Sequence, residues 1–309
     1  MGENWKQSGI WFPVLRTYQN EREVQMIMKK CLYCMEDYEE VSGQCPVCGH
    51  SDSLPPAPEG RLIPGSVLMG RFLVGELQAN YFDEARYIGW DQVLLRKVSI
   101  WEYMGNETES FRKTAEKIQL LDAMPGLINV WKVFEKNGVV YAILEYVGNM
   151  SLEQVLNRQA PWSEEHIRYF LYSLQTVLSV IHENGLVLGK QLLRDCFQRS
   201  DGSWCIGYFQ SKPVDEAEQY DTRKLALCIA QSIVGPDLWK SQNMTDNFQA
   251  LSDLASKHLA ALIKQTLKES TERDQFRFPL LIEQLMNGPE QHIWRKKMFD
   301  LCARILKNK

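Results

Sequence analysis

Cys31-Leu-Tyr-Cys34 and Cys45-Pro-Val-Cys48-Gly49 place four thiols in two Cys-x-x-Cys pairs with ten residues between them. Thiolates two residues apart can grip one ion from a tight turn, and zinc takes four such ligands in a tetrahedron at ~2.3 Å. Gly43 and Gly49 suit the turns this requires. Cysteine at all four positions leaves no coordination position for water or substrate. The expected cofactor is therefore a structural zinc ion on Cys31, Cys34, Cys45 and Cys48. Two chance pairs or a redox Cys-x-x-Cys are the alternatives, and a redox centre needs only one pair. The remaining cysteines stand singly at 196, 205, 228 and 302. That is no disulfide framework, and it fits a reducing cytoplasm.

The second stretch with ionisable groups runs from His182 to Phe209, HENGLVLGKQLLRDCFQRSDGSWCIGYF. A helix of apolar period leads into it, opened by Ser163 as N-cap and running to His182. Two short strand-like segments flank a turn at Asp201-Gly202, so Asp201 reads as a turn residue. Lys190 and Asp195 are among its ionisable groups.

The elements that must position these groups follow from period and punctuation. Val67–Glu76, Ala85–Trp90 and Leu94–Trp101 read as three antiparallel strands with a turn at Asp91-Gln92. A helix opens near Ser110-Phe111 and continues to Pro125-Gly126. Strands at Asn129–Phe134 and Val139–Glu145 follow, joined by a Lys136-Asn137-Gly138 hairpin turn. Beyond the His182–Phe209 stretch, helices are expected at Asp221–Val234, ending at Gly235-Pro236, and at about 246–268 and 278–287.

The cysteine module resembles a zinc ribbon. The run IPGSVLMGRFLVGEL, then VSIWEYMG, then VFEKNGVVYAILEYVGNMSLEQVL resembles bacterial zinc-ribbon-linked kinases of the eukaryotic Ser/Thr type, over about residues 64–287. The resemblance implies an α+β, bilobal protein kinase-like fold: five strands and one helix, then a helical lobe. Together with the composition and period of the flanking segments, it divides the chain into an N-terminal extension (1–27), zinc ribbon (28–50), proline-rich linker (51–66), kinase-like domain (67–288) and a basic amphipathic helix (289–309). It also implies that Asp221 braces the catalytic loop, unless Asp221 is merely an N-cap, and that Arg277 pairs with a buried acid.

Phosphoryl transfer needs a glycine-rich cover between the first two strands, a strand lysine on the phosphates, metal ligands and a base. Between Gly75 and Gly89 there is no glycine, and Asp83 and Glu84 would set negative charge beside an anion. Trp101 stands at the strand lysine, where its indole would fill the adenine-phosphate cleft. Thr114 stands at that lysine's helical glutamate partner, with Glu116 pointing elsewhere. Leu188-Gly189-Lys190 replaces His-Arg-Asp, so a cation stands where the base belongs. Asp195 falls on the metal-binding Asn and could still ligate magnesium. Gly207-Tyr208-Phe209 replaces Asp-Phe-Gly and has lost its carboxylate. About ten residues separate Phe209 from the helix at Asp221, too few to shape a peptide groove.

These losses together predict a catalytically inactive protein, a pseudokinase, with no catalytic residues and with ATP/Mg2+ binding disfavoured. It would act as an interaction or regulatory scaffold for a protein partner. The alternative is an atypical phosphotransferase or nucleotide sensor working through Asp195 and Lys190. A net charge of −4, with four acids against two lysines in residues 28–50, argues against nucleic acid as partner. No apolar run reaches the ~20 residues of a membrane span. Ile10–Leu15 lacks the length, basic start and cleavage site of an export signal. Residues 1–27 either precede a natural start at Met26 or Met28 or form a short docking segment. Gln291–Lys309 carries Trp294, Met298, Leu301 and Ile305 on one stripe. Packing of that stripe on the protein body is favoured over membrane contact.

Overall fold

The computed structural model describes residues 28–268 apart from 40–42, 52, 122, 149, 190, 208 and 212–213. The expectations for Arg277, for a helix at 278–287 and for the segments 1–27 and 289–309 lie outside the described residues. The chain forms two units: one holds residues up to Thr108 with Val130–Tyr146, the other Glu109–Asn129 and residues from Val147. Among the described residues no helix is long and apolar enough to cross a membrane.

The first unit is a small two-stranded ladder, β1 (Met28–Lys30) with β2 (Asp37–Glu39), and a six-stranded antiparallel sheet. The sheet contains β3 (Val67–Leu68), β4 (Phe72–Asn80), β5 (Glu84–Asp91), β6 (Arg96–Tyr103), β7 (Val130–Lys136) and β8 (Val139–Glu145), in the order β3-β4-β5-β6-β8-β7. The single strand expected at Val67–Glu76 is two. Met69 and Gly70 adopt left-handed φ of 54° and 65°, turning the chain between β3 and β4. The β7–β8 hairpin is as expected: Lys136 faces Val139, and Asn137 and Gly138 have φ of 54° and 75°, the signature of a type I′ turn.

One face of the sheet buries Phe72, Val74, Tyr87, Val98, Ile100 and Ile143 in a common core. Glu102 is buried beside it and accepts hydrogen bonds from the Tyr87 hydroxyl (2.9 Å) and the Leu62 amide (3.3 Å). Burial and the Glu102 charge push the Tyr87 hydroxyl far above its ordinary pKa, so it remains a donor. The proline-rich stretch is not a free spacer. Its Arg61 donates to the carbonyls of Tyr81 and Phe82, and Gly65 N–H donates to Val74.

Asp91 closes the β5–β6 turn. It accepts from Arg71 at 2.8 and 2.7 Å and from the amides of Val93 and Leu94. The Arg71 guanidinium and these amides hold the Asp91 carboxyl down at about 2. A depressed carboxylate contributes stability that is present above its unfolded pKa of ~3.9 and is lost as pH falls towards its folded value. The full shift corresponds to about 2 kcal/mol; partial solvation of Arg71 reduces that to roughly 1 kcal/mol. Asp91→Asn is thus expected to lower stability by that amount in urea titrations at pH 7 and to be neutral near pH 2.

The second unit is mainly helical: α1 (Thr108–Gln119), α2 (Leu152–Gln159), α3 (Glu164–Glu183), β9 (Leu186–Leu188), α4 (Leu192–Asp195), β10 (Cys196–Gln198), β11 (Trp204–Ile206), β12 (Phe209–Ser211), α5 (Val214–Val234), α6 (Pro236–Ser241), α7 (Met244–Leu254) and α8 (Lys257–Lys268). α3 matches its expected span. Ser163 caps it through the His166 amide, and Ile167, Phe170, Leu171, Leu174, Val177, Leu178 and Ile181 form its buried stripe. α1 stops at Gln119 instead of continuing to Pro125. α5 begins at Val214 rather than Asp221, because the polar turn preceding Asp221 is itself helical. Gly235-Pro236 ends α5 but also starts α6, with proline in its first turn. The helix expected at 246–268 breaks at Ala255, the C-cap of α7.

Candidate metal centre and kinase-like positions

The four cysteines meet, and the backbone explains how. In the first knuckle Met35 N–H donates to Cys31 O (2.8 Å) and Cys31 N–H to Glu36 O (2.9 Å). In the second, Gly49 N–H donates to Cys45 O and Cys45 N–H to His50 O, both at 2.8 Å. The knuckles are thus structural repeats, each closed by a left-handed residue, Met35 (φ 57°) and Gly49 (φ 75°). Tyr33 and His50 stack across them with ring centroids 4.1 Å apart.

All four sulfur atoms lie within 4.8 Å of one another, with Cys31–Cys48 at 3.6 Å and Cys34–Cys45 at 3.7 Å. A zinc tetrahedron with bonds of ~2.3 Å has edges of about 3.8 Å. The donor set therefore fits one zinc ion, and it is the one such cluster among the described residues. Cys31 and Cys45 are buried, and Cys34 and Cys48 are half-buried.

The module is seated on the sheet of its own unit. Leu32 O accepts from the Glu76 amide of β4 (2.8 Å), Glu36 pairs with Lys97, and the Lys30 ammonium lies 3.5 Å from the centre of the Trp90 ring. Met35 is fully buried, its methyl packed where a Gly75 side chain would project. Left-handed backbone disfavours a residue with a β-carbon by about 1 kcal/mol. The second knuckle avoids that cost with glycine, whereas the first keeps methionine and uses its side chain. No local signal in the sequence couples Met35 to Gly75, so this docking is visible only in the structure.

Trp101, at the strand-lysine position, is buried in β6 directly opposite Arg86 of β5. The Arg86 guanidinium stacks on the indole, 4.1 Å from the ring centre, and pairs with Glu84. The negative charge expected from Glu84 beside a phosphate is therefore already paired within the protein. The turn at the glycine-rich position is fastened from several sides. Besides Arg61 on the carbonyls of Tyr81 and Phe82, Tyr81 N–H donates to Glu84 O (2.7 Å) and Met104 N–H to Asp83 O (2.8 Å). Neither Arg86 nor Arg61 was found from sequence. Arg86 is recognisable only once the β5–β6 register puts it across from Trp101.

In the helical unit Asp221 is fully buried in mid-α5, which removes the N-cap alternative. Both of its oxygens accept from the Leu188 amide at 3.0 Å, and Oδ2 lies 2.8 Å from His182 Nε2. Burial pushes its carboxyl above the ordinary value, against the opposing pull of His182, the Leu188 amide and Lys224. One turn on, Lys224 Nζ donates to the carbonyls of Leu188 (2.7 Å) and Gly189 (2.8 Å). An acid and a base of one helix face thus clamp donors and acceptors of one loop. Lys224 was missed, although its spacing from Asp221 places it on that face.

Lys190 and Tyr208 lie outside the described residues. Asp195 is buried at the end of α4, and Gly207 donates its amide to Asp195 O (3.0 Å). Asp201 is the expected turn residue, accepting from the Ser203 amide and hydroxyl at 2.9 and 2.6 Å. On α1, Thr114 is buried and Glu116 pairs with Arg112 of the same helix at 2.7 Å.

No family model matches the chain. It is 23% identical over 149 residues to the serine/threonine-protein kinase PLK4 of Xenopus tropicalis, covering 48% of this chain and 15% of that protein. It is 24% identical over 135 residues to the serine/threonine-protein kinase PrkC of Bacillus subtilis (strain 168), covering 41% of this chain and 20% of that protein. The chain is distantly and partially homologous to Ser/Thr protein kinases, and the matched part spans no more than a fifth of either relative.

Proposed function

We propose that this chain is a pseudokinase: a kinase-like body with a structural zinc ribbon, without phosphoryl-transfer activity, that serves a protein partner as a regulatory scaffold in the cytoplasm. One observation carries the reading. The position of the phosphate-binding lysine holds a buried indole under an arginine that is already paired with Glu84. A strand lysine works by placing a mobile cation on phosphate oxygens; an indole offers one N–H and no charge. The fastened turn at Tyr81–Asp83 supports the same reading, because a phosphate cover must bring bare backbone amides to the anion. Thr114 and Gly207, at positions that need carboxylates, agree. The paired surroundings of Trp101 favour this over nucleotide sensing through Asp195.

In the ribbon, Cys31, Cys34, Cys45 and Cys48 would hold the zinc, and its role there is to fix both knuckles. The test is thermal unfolding of the full chain with and without Mg2+-ATP, paired with a radiolabelled-phosphate transfer assay. The melting temperature is expected to stay unchanged and no label to appear. A magnesium-dependent rise of several degrees would overturn the non-binding part of the proposal, and label that disappears in Asp195→Ala would overturn the whole.

A further inference from the structure

Side chains alternate along a strand, so one residue fixes the face of its neighbours. On β5, Tyr87 belongs to the buried core cluster, which places Arg86 and Ile88 on the opposite face. The register carries that face to β6: Arg86 lies opposite Trp101, and Ile88 opposite Ser99. This is therefore the Trp101 face, on which a kinase-type strand lysine would meet its ligand. Gly75 of β4 opens onto the same face. A β-carbon built there would lie 2.9 Å from Ile88 Cγ2 and 2.5 Å from Leu32 O, and would collide with Met35 Cε.

The tip of Met35 thus rests beside Ile88 on the Trp101 face, reaching it from the cysteine module. A methionine side chain is flexible and polarisable, fills irregular gaps and packs well against aromatic rings. Its backbone is held by Cys31 O, and its neighbour Leu32 by Glu76 N–H, so the geometry of the four thiols sets where the methyl goes.

We propose that the first knuckle is a built-in plug: the metal-fixed turn seats Met35 on the Trp101 face in place of a flat, uncharged ring such as a purine. Naming the ligand a purine rests on the kinase-like reading above; the plug itself rests on the contacts of Met35, Gly75 and Ile88. Seating and ligand binding are then mutually exclusive, and release of the metal would favour the ligand.

Two substitutions in the zinc-loaded full chain attack the contact from opposite sides. Met35→Gly removes the plug while suiting the left-handed backbone. Gly75→Ala introduces the β-carbon that collides with Leu32 O and the Met35 methyl. Adenosine serves as the probe, followed by ligand-detected saturation-transfer NMR, with amide hydrogen exchange in parallel. Adenosine signal is expected in both variants and not in the wild type. In Gly75→Ala the Glu76 amide should also exchange about tenfold faster or more, with Ile100 and Ile143 unchanged. Equal adenosine signal in all three proteins, or an unaltered Glu76 rate in Gly75→Ala, overturns the plug. Failure of the pseudokinase reading looks different: the wild type, with Glu76 still protected, would be stabilised by Mg2+-ATP.

Discussion

Cys45→Ser is expected to reduce bound zinc from one ion per chain to none and to lower the melting temperature of the full chain by about 10 °C. The first effect follows from the donor set. Serine offers no thiolate, and three remaining sulfurs cannot close the tetrahedron that the 3.6 and 3.7 Å separations outline. The second follows from the seating of the module. Structural zinc contributes on the order of 10 kcal/mol to a small domain that depends on it. Part of that reaches the sheet through Leu32 on Glu76, Glu36 on Lys97, Lys30 on Trp90 and Met35 on Gly75. A transmitted share of about 3 kcal/mol corresponds to roughly 10 °C for a domain of this size. Elemental analysis and a thermal scan read both effects together. Cys228→Ala, a buried thiol in the helical unit, should leave the zinc content at one. Full zinc occupancy in Cys45→Ser would refute the four-cysteine site.

Asp221→Ala should be the most damaging single change in the helical unit, at roughly 3–5 kcal/mol. Removing the carboxylate leaves the buried Leu188 amide without its acceptor and His182 without its partner. Lys224 stays on the carbonyls of Leu188 and Gly189 and loses the attraction of the Asp221 charge. Asp221→Asn keeps an acceptor for the amide and should cost less than half as much. Urea midpoints at pH 7, at constant m-value, measure the difference. Equal losses for the two substitutions would show that the charge, and not the hydrogen bond, holds the loop.

Sequence exposed those features whose signals are local. The two Cys-x-x-Cys pairs, the Asn137-Gly138 turn and the Ser163-capped stripe of α3 each sit within a few residues of their cause, and each was legible. The Met69-Gly70 turn was hidden because the residues on both sides have strand character. The first turns of α5 were hidden because their polar composition matches a loop. Arg86 on Trp101, Lys224 on the Leu188 carbonyl and Met35 under Gly75 required knowing which segments meet. In each case the side chain is unremarkable in type, and its meaning comes from register or docking. The bracing role of Asp221 was legible only through the kinase resemblance, since spacing alone fitted an N-cap equally well.

The strand order also has a consequence in time. β8 lies between β6 and β7, yet it is the last of the six strands to leave the ribosome, after the whole of α1. Until Val139–Glu145 emerges, β6 is an open edge with Ser99, Trp101 and Tyr103 lacking ladder partners on one side. Open edges of this kind recruit other chains, and sheets completed by distant segments close slowly. The four-cysteine module and the β4–β5 pair involve only earlier residues, so they can form while that edge waits. A pause in translation while Val139–Glu145 is still within the ribosomal exit tunnel should therefore enrich chaperone-bound nascent chains, and one placed after that segment has emerged should not.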